Sequence, residues 1–388
     1  MSEVAGSGDS QDSREETETS SSAAWRSTLR TEAVLGVAAL TYLFFEFVGA
    51  DWEADPLSHP LRSLLLFGWI FAVLVWASFG VVRHAEALAG LLGEPQGTII
   101  LTLSVILIEV AMISAVMLTG SNNPTLARET MFSVVMIVLN GLVGASLIVG
   151  GWKHHTQSLN LQGANAYLGA LFALAGLGLI LPRFTTSTPD GSASPLLAVF
   201  LVIVSLGVYA VFLFAQTRTH ASLFRMEGES SEGHAEGAIH TVSGHGLLLV
   251  LTMLFIVLLS KYLAVFVEVG VTTAGLPAAL GGIVVAVVVL TPEGLSAVRA
   301  AWANQIQRSI NICLGSGLAT IGLTIPAVLA VSFVTGRHVE LGLEPAEITL
   351  LAMTMLVSLT TFIPARTTAL QGLLHAVLFC GYLLLVFD

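Results

Sequence analysis

GGIVVAVVVLTPEGLSAVR, Gly281–Arg299, places a proline and an ionisable carboxylate, Pro292 and Glu293, at the end of a run with no charge. Crossing about 30 Å of hydrocarbon takes about 20 helical residues. Lipid offers the backbone no hydrogen-bond partner, so a run of this kind is predicted to be a helix. A carboxylate near the centre of such a helix costs about 2.5–3.5 kcal/mol on insertion scales and normally faces a bundle interior or a water-filled cavity. Glu293 is therefore the first candidate functional residue. Pro292 has no N–H for the carbonyl of Val288, so a kink is predicted there, and a freed carbonyl beside a carboxylate suits a hard cation.

Runs of the same kind fill most of the chain, near 33–50, 61–82, 97–119, 127–150, 164–182, 194–217, 244–270, 275–301, 308–334, 346–364 and 367–387, eleven in all. The composition agrees: 55% of residues are hydrophobic and 11% charged, against about 25% charged in soluble domains. The expected class is an all-α polytopic membrane protein. Residues 1–24 are polar and acidic and are predicted to be a disordered tail; they lack the basic start and short apolar core of a signal peptide. The two cysteines, Cys313 and Cys380, both lie in apolar runs, which suggests neither a disulfide nor a metal site.

The second candidate is Glu109, midway along GTIILTLSVILIEVAMISAVML, in the third run. Glu109 and Glu293 stand 184 residues apart (293 − 109), each in the second helix of a set of five. One extra helix at 33–50 precedes the first set, at 61–217, and an acidic linker at 218–243 separates it from the second, at 244–388. Five is odd, so the two sets enter the membrane from opposite sides, which gives the inverted repeat of secondary transporters. The two glutamates are then expected to meet near the midplane.

Supporting atoms are expected from the helices that follow: Asn140, Gly141 and Gly144 in the first set, Gly315 and Ser316 in the second, with Asn311 and Thr320 as further polar positions. The glycines permit close helix approach. Lys261 is the single basic residue well inside a run and is expected to shift the charge balance of the site. The acidic residues of the linker are expected to form a solvated face.

Ten of the fifteen Lys and Arg residues, Arg83, Lys153, Arg218, Arg299, Arg308 and Arg366 among them, fall on the side of the N-terminus. The positive-inside rule makes that side cytoplasmic. No P-loop or HExxH motif occurs, so neither ATP-driven pumping nor metalloenzyme chemistry is indicated.

VRHAEALAGLLGEPQGTIILTLSVILIEV (Val82–Val110) and LTPEGLSAVRAAWANQIQRSINICLGSGLATIGLTIPAV (Leu290–Val328) resemble the bacterial ChaA-type calcium/proton and sodium-potassium/proton antiporters of the calcium/cation antiporter superfamily. The resemblance extends over residues 33–388. It implies one acidic residue per repeat, here Glu109 and Glu293, binding a cation in exchange for protons. The GN-x-x-E pattern of the wider superfamily reads SVILIE and VLTPE at the two places.

The expected function is therefore secondary antiport of Ca²⁺, and/or Na⁺ or K⁺, against H⁺. The two alternatives are a cation channel and a membrane scaffold or receptor without transport. No cofactor and no nucleic acid is expected; the partners are inorganic cations, protons and the lipid bilayer, with room for a homo-oligomer. The expected location is the bacterial inner membrane.

Overall fold

A run that stays apolar for at least 18 residues must close its own backbone hydrogen bonds, and the computed structural model of the chain is correspondingly a bundle of helices. It describes residues 32–49, 59–93, 96–119, 124–224, 241–273, 275–277, 279–364 and 366–387. Residues 1–24 and 225–240, which carry the tail and most of the acidic linker, lie outside the described residues.

Eleven helical spans are present among the described residues. They are α1 (Ala33–Gly49), α2 (Pro60–Leu92), α3 (Gln96–Thr119), α4 (Leu126–His154), α5 (Leu161–Phe184), α6 (Pro195–Thr219), α7 (Val242–Thr273), α8 (Ala279–Trp302), α9 (Ile306–Thr335), α10 (Pro345–Thr361) and α11 (Ala369–Phe387). Eight are long and apolar enough to cross a membrane, and α1, α10 and the apolar part of α3 are shorter. The break expected at Pro364–Arg366 is real: α10 stops at Thr361 and α11 starts at Ala369.

Several helices outrun their apolar stretches. Apolarity ends near Val82, yet α2 continues to Leu92, 33 residues or about 50 Å at the rise of an α-helix. Arg83, His84 and Glu86 break the hydropathy but not the backbone geometry, and the helix stops only at Gly93, whose φ is +69°. The polar end of α2 is thereby held rigid. Pro292 is likewise absorbed into one continuous helix, α8.

The packing exchanges partners between the two sets. The third helix of the first set, α4, lies against the second helix of the second set, α8, while α3 lies against α9. Glycine makes the α4–α8 crossing close. A Cβ on Gly282 would stand 2.6 Å from the carbonyl carbon of Glu129, and one on Gly294 would stand 2.7 Å from the Leu142 side chain. Midway along α4 the residues Ile137–Leu142 form a π-helical turn, a local widening that often marks functional positions.

Two features were not legible in the apolar pattern. Gln157–Ser158 and Arg366–Thr367 pair as a short antiparallel ladder that ties the α4–α5 connection to the α10–α11 connection. At the end of α2, His84 Nδ1 lies 3.1 Å from His245 Nδ1 of α7, and Glu32 receives Arg83 at 2.9 Å and His84 at 3.1 Å. Burial raises the Glu32 carboxyl, but the hydrogen bond from His84 and the charge of Arg83 outweigh it and hold Glu32 below the usual carboxylate range. This cluster pins α1 to α2 and α7.

Candidate functional site

Glu109 is fully buried on α3. Two hydroxyls of α9 face its carboxylate: Thr320 Oγ1 donates to Oε2 at 2.8 Å and Thr324 Oγ1 to Oε1 at 3.4 Å. The two threonines are one helical turn apart, which puts both on the same face of α9.

Glu293, on α8, is arranged differently. Both of its carboxylate oxygens are buried, and neither has a hydrogen-bond partner among the described residues. Glu109 is near enough for its charge to act on Glu293. The exchanged packing thus brings the two acids into one neighbourhood.

Glu293 lies on the wall of a cavity of about 290 Å³ bounded by α2, α3, α5, α6, α8 and α9. Its polar lining includes Glu86, Thr102, Tyr167, Tyr209, Gln216, Ser296, Asn311, Ser316 and Thr320. Asn311 is nine residues before Thr320 on α9, about 13 Å along a helix, so the cavity runs from the level of the glutamates toward the Arg83, Arg218 and Arg308 ends of α2, α6 and α9. That is the side of the N-terminus. Glu109 is not on the wall; Thr320 stands between it and the cavity, touching both.

The remaining residues expected at the site divide. Gly315 and Ser316 line the cavity, and Gly315 leaves room for the Tyr167 ring, whose hydroxyl would be 3.6 Å from an added Cβ. Pro292 and Val288 are buried in α8, where Thr291 donates its hydroxyl to the Val287 carbonyl.

Asn140, Gly141, Gly144 and Lys261 are elsewhere. Asn140 donates to Thr354 at 2.8 Å and its Oδ1 lies 3.1 Å from His375 Nδ1, so its amide is satisfied by α10 and α11. Added Cβ atoms on Gly141 and Gly144 would meet Phe379, and the Gly372 carbonyl with His375, respectively. These two glycines serve the α4–α11 contact. Lys261 donates to Glu46 of α1 at 3.0 Å, next to the Tyr262 hydroxyl, which reaches the same oxygen at 2.6 Å, and the Tyr262 ring at 4.5 Å. An acid on α1, part of the supernumerary helix, had already claimed it.

Glu86, Gln216, Tyr167 and Ser296 are cavity residues that the apolar pattern did not single out. Glu86 follows the basic Arg83 in a segment that reads as a helix end, so nothing in hydropathy alone separates it from a solvated charge. Tyr167 accepts a hydrogen bond from Gln216 at 2.8 Å. Asn311 is engaged on both sides, donating to the Phe224 carbonyl and accepting from Gln307. Among the described residues no group of three or more His, Cys, Asp or Glu gathers as a resident metal centre would require.

At the opposite end of the bundle Arg128 anchors a polar cluster. It holds Glu129 at 2.7 Å, the Gly342 carbonyl at 3.0 Å and Glu344 at 3.7 Å, and Arg183 holds Glu344 at 2.9 Å. Arg128 and Glu129 are both buried.

The two sets of helices exchange packing partners, and two buried acids lie where they meet. The profile described as sodium/calcium exchanger protein matches residues 62–218 and 245–387, and the chain belongs to that family. It is 37% identical over 362 residues to the sodium-potassium/proton antiporter ChaA of Escherichia coli K12, covering 92% of this chain and 96% of that one. It is 41% identical over 344 residues to the putative ionic transporter y4hA of Sinorhizobium fredii, covering 87% and 93%. Among solved structures it resembles native YfkE, with a TM-score of 0.68 at 17% identity over 91% of this chain and 99% of that one. It also resembles the H⁺/Ca²⁺ exchanger CAX, with a TM-score of 0.63 at 17% identity over 91% and 87%. The fold is accordingly one extra helix followed by two inverted five-helix repeats, and the chain is an antiporter of the cation-exchanger class, not an enzyme.

Proposed function

We propose that the chain exports Ca²⁺, Na⁺ or K⁺ from the cytoplasm of a bacterium across the inner membrane in exchange for protons, with Glu109 and Glu293 as the shared binding groups. The observation that carries this is the Glu293 carboxylate: buried, on the wall of a cavity, with both oxygens unpartnered among the described residues. An ionised carboxylate held this way, without compensation, costs several kcal/mol. Either a proton or a cation relieves that cost, and the two compete for the same oxygens. Their competition is antiport.

Glu109 supplies the second carboxylate. Thr320 and Thr324 orient it, and their oxygens add acceptors suited to a hard cation once their protons turn away. Two carboxylates balance one Ca²⁺, or one Na⁺ with one proton. The names of the relatives point both ways: ChaA is a sodium-potassium/proton antiporter, whereas a relative from Synechocystis is a Ca²⁺/H⁺ antiporter. The cavity opens toward the N-terminal side, which the positive-inside rule makes cytoplasmic, and Arg128 seals the other end. Alternating access exchanges these two conditions.

The test is cation-dependent collapse of a preset ΔpH in inside-out vesicles, with Ca²⁺, Na⁺ and K⁺ compared for the wild type, Glu109→Gln and Glu293→Gln. Saturable exchange in the wild type and none in correctly inserted variants is the expected result. Flux that never saturates and needs no counter-moving proton would make the protein a channel. Variants that exchange as well as the wild type would remove the glutamates from the site.

A further inference from the structure

One acid on the cavity wall is not absorbed by that mechanism. Glu86 lies on α2, 23 residues before Glu109 (109 − 86), and it lines the same cavity as Glu293. Its carboxylate forms no hydrogen bond or ion pair with the described residues. Arg308, at the start of α9, acts on it through its charge alone. Glu86 in turn is near enough for its charge to reach Glu293.

Glu86 is exposed at the polar end of α2, so a carboxylate that faces water stands on the wall of the same cavity as the buried carboxylate of Glu293. The other polar groups around this cavity are neutral. Asn311 is engaged by Phe224 and Gln307, the Gln216 amide donates to Tyr167, and the remaining polar lining consists of the hydroxyls of Thr102, Tyr209, Ser296, Ser316 and Thr320. Glu86 and Glu293 are the two carboxylates that line it. A cation leaving water for this cavity therefore meets Glu86 on the polar end of α2 and finds the buried, unpartnered oxygens of Glu293 farther in.

We propose that Glu86 is an entry subsite for the transported cation on the N-terminal face, a positioning residue that gathers the ion from solution and hands it to Glu293. This rests on the exchange function proposed above. A negative wall at the mouth of a cleft with low-dielectric sides raises the local cation concentration and the capture rate. The bound ion then moves down the cavity because Glu293, stripped of water and of partners, gains more from it than Glu86 does. Glu86 acts on capture from one face, so it governs the apparent affinity on that face and not the turnover of the loaded carrier. Uptake of protons at Glu293 completes the exchange without Glu86.

The test reads KM and Vmax for Ca²⁺, Na⁺ and K⁺ from each face of the membrane, with the full-length chain in vesicles of defined orientation. Wild type is compared with Glu86→Gln, Glu86→Asp and Glu86→Lys, after gel filtration and thermal melting show all four folded. For Glu86→Gln, KM at the N-terminal face should rise about fivefold or more, the factor for one unit charge near contact in a water-like dielectric. Vmax should stay within about twofold and KM at the other face should not move. Glu86→Asp should stay close to wild type and Glu86→Lys should exceed Glu86→Gln. The difference between wild type and Glu86→Gln should shrink at high ionic strength set with choline.

An unchanged KM at the N-terminal face overturns the proposal. So does an equal rise at both faces, or a fall in Vmax alone, since each signals a structural role. If the wild type exchanges and Glu109→Gln and Glu293→Gln do not, while Glu86→Gln matches wild type, the entry subsite alone is lost. If the wild type exchanges no cation, the subsite falls together with the function it serves.

Discussion

Thr320 and Thr324 give Glu109 two hydroxyl donors, while Glu293 has none among the described residues. The asymmetry has a local origin. Shifted by the 184 positions that separate the glutamates, Thr320 and Thr324 correspond to Met136 and Asn140 (320 − 184 and 324 − 184). Methionine cannot donate, and the π-helical turn that starts at Ile137 accompanies an Asn140 turned to Thr354 and His375. The two acids stand out in the sequence because a charge in an apolar run is costly and rare. Their partners were not, since a threonine in a membrane helix most often bonds back to its own backbone, as Thr252 and Thr291 do here. If Thr320 orients Glu109, Thr320→Val removes a hydrogen bond to a carboxylate, a contribution of about 1.5–3 kcal/mol. The apparent cation affinity in the ΔpH assay should fall by roughly ten- to a hundredfold, and Thr320→Ser should recover most of it. A Thr320→Val protein with wild-type affinity would show that the hydroxyl is an onlooker.

Whole elements explain why Asn140, Gly141, Gly144 and Lys261 were misplaced by sequence alone. Position along the chain shows which helix carries a residue, but not which of two neighbours that helix turns it toward. Helix α4 has α8 on one side and α11 on another, and its small residues at 141 and 144 are spent on α11, where Gly372 comes close. The glycines that admit α8 to α4 are Gly282 and Gly294, on the partner helix. A methyl group on Gly282 would meet the backbone of Glu129 and Thr130 at 2.6 and 2.7 Å, whereas one on Gly281 would meet only side chains, at 3.3 Å and beyond. Gly282→Ala should therefore cost about 1–3 kcal/mol as an overpacked contact. Gly281→Ala should cost clearly less, a contrast read from thermal melting in detergent. Lys261 offers the opposite test. Its ion pair with Glu46 is partly exposed, with side chains 35% and 43% accessible, so Lys261→Met should shift stability by less than about 1 kcal/mol. The order of preference among Ca²⁺, Na⁺ and K⁺ should not change; an altered order would return Lys261 to the ion site.

At the scale of the molecule, the number and order of spans were legible because each crossing has to be apolar for about 20 residues, and inversion follows from an odd number of helices per set. Which end stands open was not, because it depends on residues that look alike in sequence: Arg308 beside the cavity and Arg128 in the closure are both single basic residues at the start of a helix. The structure has the cavity reaching toward the N-terminal side while Arg128, paired with Glu129 of its own helix, joins α4 to the segment before α10 through the Gly342 carbonyl and Glu344. Losing the charged donor leaves the Gly342 carbonyl without it, a cost of about 1.5–3 kcal/mol for a hydrogen bond to a charged group, and that cost falls on the state in which α4 meets this segment, since Glu129 stays beside Arg128 in either state. Arg128→Gln should then favour the alternative state, shifting the balance between the two states by roughly ten- to a hundredfold. Ser296, on the cavity wall, reports it. In a Cys380→Ala background, which leaves the buried Cys313 in place, Ser296→Cys should react with a membrane-impermeant thiol reagent from the N-terminal side, and bound cation should protect it. Adding Arg128→Gln should slow that reaction and open one from the other side. If the rate from the N-terminal side is unaffected and none appears opposite, the Arg128 contacts are only packing, and the closure that separates the two faces lies elsewhere along α4 and α8.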